Sequence, residues 1–174
     1  MSLRRRLQAT TLLACVIAVT SALAGGQARA SSIRTFTGHF PIEEHIAVLE
    51  PESTLCGFPI SLDFNGQGTF EVFFDAEGNL VRGHILEHST GTLSANGIEL
   101  RFTSTDNQFF DLRTQTLVEV GLVFRYSAPG VGVVLIDRGR LIWNLDDDGP
   151  PIFEAGPHPA LHGDLGELCA VLTP

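Results

Sequence analysis

The chain contains no lysine. Its positive charge rests on eleven arginines, and four of them (Arg4, Arg5, Arg6 and Arg29) precede Ser31. The 144 residues from Ser31 to Pro174 therefore carry seven arginines against all twenty acids, a formal charge of −13. A surface that acidic repels phosphate backbones and anionic headgroups, which argues against nucleic acid and membrane surfaces as partners. Solubility outside a cell is the simplest use of such charge, and a cationic ligand is the sharper one.

Several motifs are missing as well. There is no G-x-S-x-G, no glycine-rich phosphate loop and no H-E-x-x-H, so no catalytic residue and no cofactor is implied. Paired carboxylates such as Glu43 with Glu44, or Asp75 with Glu77, fall in turn-like stretches where charge is merely solvated. No internal repeat and no linker-like break follows Ser31, and the length suits one domain with a core of its own.

What is present begins with a targeting segment, residues 1–30. Arg4, Arg5 and Arg6 form a positive n-region, Leu7 to Ala24 an apolar stretch, and Ala28-Arg29-Ala30 an A-x-A cleavage site. The mature chain is expected to start at Ser31 after cleavage behind Ala30, to be secreted, and to keep no stable membrane insertion. Leu12-Leu13-Ala14-Cys15 resembles a lipoprotein box, but processing there would cut the apolar stretch in half. The arginine triplet makes a poor twin-arginine signal in its surroundings.

Cysteine is scarce. Cys15 leaves with the signal, and Cys56 and Cys169 remain, 113 positions apart in an oxidising compartment. A disulfide between them is the expectation, and closing so long a loop stabilises by roughly 4–5 kcal/mol in the chain-entropy model. A metal site or a reactive thiol is the alternative, although Cys56 has no His or Arg beside it to lower its pKa.

The rest reads as strands. The stretch Val131–Leu145 (VGVVLIDRGRLIWNL) is the most apolar, two runs joined at Asp137-Arg138-Gly139. Both faces of it ask for burial, which places it in the middle of a sheet. Ile33–Phe40, Phe58–Phe64, Thr69–Asp75, Leu80–His88, Ile98–Phe102 and Thr116–Tyr126 alternate with period two. Asp75–Asn79 and Ala95-Asn96-Gly97 are hairpin turns by composition. Thr116, Val118, Val120, Leu122, Phe124 and Tyr126 fall on one side of their strand. Asp164–Leu172 has helical spacing with Asp164 as its cap. The expected fold is all-β: a single antiparallel barrel, or sandwich, of about eight strands with a short C-terminal helix, spanning residues 31–174.

Six histidines offer chemistry. His84 and His88 share a strand face, but four residues at ~3.3 Å each hold them roughly 13 Å apart, too far for one metal. His158, His162 and Asp164 lie in a proline- and glycine-rich connector. They are the candidate metal set, although ligand type alone specifies little. Asn144–Gly149 imitates the start of a calcium loop and then fails, with prolines at 150 and 151 and Ala155 where a glutamate belongs. Asp137, Arg138 and Arg140 interrupt the most apolar region. They read either as a tight turn with an ion pair or, for Asp137 and Arg140 together with His84, as residues at a pocket mouth.

Cys56-Gly57-Phe58-Pro59, Phe74–Arg82, Gly130–Val134 with Asp137–Arg140, and Gly156–Pro159 with Leu168-Cys169-Ala170 resemble a family of secreted actinobacterial β proteins. That family has no assigned activity, so the resemblance implies secretion and a shared β fold, and nothing catalytic. More distantly, the strand count is similar to lipocalins and to allene oxide cyclase-like barrels, an analogy of fold alone. An eight-stranded barrel holds one small ligand unless its twelve phenylalanines fill it. Three functions follow: a secreted barrel that binds a small apolar ligand, a small cyclase or isomerase, or an interaction protein acting through its acidic surface. Nothing in the sequence sets the oligomeric state.

Overall fold

The alternation of apolar and polar residues resolves into seven antiparallel strands in a computed structural model, which describes residues 34–147 and 149–174. The signal segment and its Ala30–Ser31 junction lie outside the described residues. The elements are β1 (Arg34–Ile46), α1 (Glu52–Cys56), β2 (Ser61–Phe74), β3 (Leu80–Ala95), β4 (Ile98–Asp111), β5 (Thr116–Ala128), β6 (Gly132–Asn144), β7 (Phe153–Ala155) and α2 (Gly166–Leu172). The strands form one up-and-down sheet in the order β1-β2-β3-β4-β5-β6-β7. The all-β class and the short C-terminal helix are as expected. The sheet, however, has seven strands rather than about eight, and β1 and β7 are its edges rather than a closed seam.

Six of the strands are long, 13 to 16 residues each. Phe58–Phe64 and Thr69–Asp75 were two strands by sequence pattern, yet Asn65-Gly66-Gln67-Gly68 runs straight through β2 instead of turning. The glycines there serve close approach: a Cβ on Gly68 would lie 2.1 Å from the Phe40 ring, and one on Gly91 would lie 2.0 Å from the Asp63 carbonyl oxygen. Across the sheet, phenylalanine repeatedly faces glycine, as in Phe40 with Gly68, Phe70 with Gly38, Phe110 with Gly83 and Phe102 with Gly91. Flat rings laid over bare backbone let long strands bend without crowding. The true hairpin turns carry the expected chemistry: Asn96 and Gly97 both take positive φ (53° and 79°).

One face of the sheet carries two apolar clusters, one toward each end of the strands. The first contains Leu62, Phe64, Leu93, Phe102, Phe124 and Tyr126, capped by Leu49, Ile60, Leu165, Leu168 and Leu172 from α1, α2 and their flanks. The Cys56–Cys169 disulfide ties the two helices together, with Cα atoms 5.1 Å apart. Asn96 Nδ2 also donates to the Leu172 carbonyl, pinning α2 to the β3–β4 hairpin. The helix starts without a side-chain cap, its first turn preceded by Leu165, so Asp164 does not perform the capping its position suggested. The second cluster is Val72, Phe74, Ile85, Phe110 and Leu117, with Phe36, Phe70 and Trp143 packed against it. This cluster draws on β1 to β6 and contains no residue of a described helix.

Candidate functional site

The inner face is not apolar throughout. Between the two clusters runs a polar belt that follows from strand register. Glu87 stands opposite Asp106, Ser89 opposite Ser104, and Gln108 opposite Glu119. Asp106, Gln108 and Glu119 are buried, whereas Glu87 and Ser104 are half-buried and connect the belt to solvent.

Sequence alternation places Val118, Val120 and Leu122 on the same face as Phe124 and Tyr126. The structure places Leu117 and Glu119 there instead. The cause is a β-bulge: the β5–β6 register slips between Leu122 and Phe124, and the β4–β5 register slips between Thr103 and Thr105. One extra residue exchanges the faces of everything beyond it, which turns Glu119 inward and leaves Val120 exposed. A carboxylate in an apolar-looking strand is the residue pattern reading passes over.

Within the belt, Gln108 Nε2 donates to Asp106 Oδ2 at 2.8 Å, and Trp143 Nε1 donates to Glu119 Oε2 at 3.3 Å. Burial pushes the Asp106 carboxyl well above the ordinary carboxylate range. The charge of Glu119, a hydrogen bond with Glu119 and the charge of Glu87 add to the rise, and the Gln108 amide opposes it. Two further polar atoms in the same interior, Gln108 Oε1 and the Tyr126 hydroxyl, are buried and make no hydrogen bond among the described residues. The Tyr126 phenol is held well above its usual range by burial, then by the charges of Glu52 and Asp137.

A second polar pair flanks the belt. Asp137 Oδ1 accepts from His158 Nδ1 at 2.8 Å, and both side chains are 0 % exposed. Asp137-Arg138-Gly139 is therefore no turn: β6 is continuous through it, and Asp137 points inward while Arg138 and Arg140 point out. His158 reaches Asp137 because the chain after β7 crosses β6, where the Arg138 N–H donates to the Pro157 carbonyl at 3.0 Å. Gly139 makes the crossing feasible, since a Cβ there would lie 2.1 Å from the Ala155 carbonyl oxygen. Nor does β6 occupy the middle of the sheet. It is next to the edge, β7 covers only Arg140–Ile142, and Val131 and Val133 are 60 % and 49 % exposed.

Comparison of the chain with family models, curated proteins and solved structures finds no match.

The structure separates the other candidates that the sequence suggested. His84 lies on the outer face, its ring stacked on Phe109 at 4.3 Å between centroids. It lines a shallow groove of about 300 Å³ with Thr37, His39, Thr69 and Glu71. His84, Asp137 and Arg140 therefore do not converge on one pocket mouth. Arg140 lies instead over the Phe153 ring, 5.8 Å from its centre. His88 is also on the outer face, bonded to the Thr105 hydroxyl. His162 pairs with Glu154 at 2.6 Å, while His158 pairs with Asp137. Among the described residues no three metal-type side chains gather, so His158, His162 and Asp164 form no common site. The described helices include none long and apolar enough to cross a membrane.

Proposed function

We propose that this chain is a secreted, disulfide-stapled β domain that binds a small, mainly apolar ligand against the face of its sheet that carries both apolar clusters. The observation that carries this reading is the polar belt set between two apolar clusters, with Gln108 Oε1 and the Tyr126 hydroxyl buried and unbonded among the described residues. Buried polar atoms cost roughly 1–3 kcal/mol each when left without partners, and a site that binds a ligand is one place where that cost persists. The clusters are well filled by phenylalanine, so the ligand's polar group is read by the belt and its hydrocarbon part rests on the flanking rings. Secretion, and kinship with the secreted actinobacterial β proteins, belong to the same reading. The signal-like N-terminus and the Cys56–Cys169 bond support both.

Native mass spectrometry of the protein collected from its own host's medium tests this reading. The expected mass starts at Ser31, is about two daltons light for the disulfide, and carries additional mass that is lost on denaturation. A mature protein with no additional mass, and with no affinity for alkyl probes, would defeat the ligand reading. Retention of residues 1–30 would defeat secretion by this signal.

A further inference from the structure

We propose a second binding site, on the outer face of the sheet, where His84 offers one face of its ring to a planar nitrogen heterocycle that carries N–H donors and no phosphate. The site is independent of the inner-face ligand reading, and the two can fail separately. The groove of about 300 Å³ that His84 borders takes its other lining residues from β1 and β2, among them Thr37, His39, Thr69 and Glu71. Register sets these side by side. His84 stands between Glu71 of β2 and Phe109 of β4, Thr37 stands opposite Glu71, and His39 stands opposite Thr69. Phe109 takes the β4 side of the His84 ring, parallel to it within 4° and 4.3 Å away between centroids. The groove meets the ring from the β2 side, where the next residue in the row, Glu71, is no ring. A flat ligand placed there continues the stack.

His84 serves as a platform rather than as a hydrogen-bonding group. Its Nε2 is buried and makes no hydrogen bond among the described residues, so what the position uses is the ring face. Histidine and other aromatic side chains stack on heterocyclic bases, and stacking tolerates every base because each has a π-face. Selection therefore comes from the ligand's edge. The half-buried Glu71 carboxylate accepts N–H donors, and the Thr37 and Thr69 hydroxyls donate to ring nitrogens or accept from amino groups. Charge sets the last condition. The groove is lined by a carboxylate and by no arginine, and the chain from Ser31 onward carries −13 overall, which repels phosphate. The ligand class that fits is an amino-bearing base or its nucleoside, not a nucleotide and not a nucleic acid.

The test is calorimetric titration of the purified, disulfide-bonded protein with adenosine, with purine riboside, which lacks the amino group, and with adenosine monophosphate. Adenosine should bind saturably, and each of the other two should bind about tenfold more weakly, the loss expected for one hydrogen bond to a charged group or one repelled phosphate. His84→Ala should weaken adenosine about tenfold, whereas His84→Phe, which keeps a ring to stack on, should retain it. Glu71→Ala should bring adenosine down to the affinity of purine riboside and leave purine riboside unchanged. Should the variants misfold, the three probes on the wild type still decide. No binding of adenosine, equal affinity for adenosine and purine riboside, or methyl glucoside binding as tightly as adenosine overturns the proposal. Competition between adenosine and an alkyl probe also overturns it, because it places both ligands on one face. Loss of alkyl binding with adenosine binding intact defeats the inner-face reading alone.

Discussion

The Asp137–His158 pair offers a quantitative test of how the interior is held together. Both side chains are fully buried and hydrogen-bonded at 2.8 Å. Replacing Asp137 with leucine, or His158 with phenylalanine, removes that hydrogen bond and leaves the other group buried. Breaking a buried pair from one side costs about 3–5 kcal/mol, whereas replacing both members with apolar residues of similar volume is often close to neutral. Against a total stability of about 5–15 kcal/mol, either single change is severe. With a urea slope of about 2 kcal/mol/M, each should move the unfolding midpoint down by about 2 M. The double variant should lose far less than the two singles added together, with a coupling of about 3 kcal/mol or more. The assay is urea denaturation followed by tryptophan fluorescence, since Trp143 is the chain's one tryptophan and lies on the inner face. Single losses that add to within about 0.5 kcal/mol would mean that the two residues do not act as a pair.

Two other expectations follow from the same interior. Replacing Cys56 and Cys169 together with serine should cost roughly 4–5 kcal/mol, because the bond spans 113 residues of an otherwise free denatured chain, and equilibrium unfolding with and without the bond measures it. A loss below about 1 kcal/mol would show that the unfolded state is already compact at that point. Asp106 makes a pH-dependent contribution. Its folded carboxyl keeps its proton to higher pH than an unfolded aspartate, whose pKa is near 3.9, so the contribution is complete below about pH 4 and is lost as pH rises through the raised value. The stability gap between wild type and Asp106→Asn should therefore narrow on the alkaline side. A gap that holds constant from about pH 4 to pH 9 would contradict the assignment.

Much of the fold was legible from local chemistry. Hairpin turns at Asp75–Asn79 and Asn96-Gly97 need particular backbone angles that few residues supply, so composition marks them directly. The pairing of Cys56 with Cys169 followed from the expectation that Cys15 leaves with a signal segment and that the other two cysteines meet an oxidising compartment, and the C-terminal helix from its spacing of leucines. Local chemistry failed where neighbours in space decide. Gly66 and Gly68 look like turn residues, but here they clear room for a facing backbone and ring, so β2 passes through them. Asp137 looks like the corner of a turn, but a histidine 21 positions away in sequence gives it a buried partner.

The sequence by itself determined the class of structure and the hairpin turns, because these depend on residue type and short spacing, and it left Cys56 and Cys169 as the natural pair although 113 positions separate them. Tertiary structure alone decided which carboxylates became chemistry. One bulge in β5, read in its register with both β4 and β6, shifts the alternation by one residue and turns Glu119 inward to meet Gln108 and Asp106. A slip of one position is invisible in composition and nearly invisible in pattern, yet it exchanges the two faces of a strand, and with them the interior and the solvent.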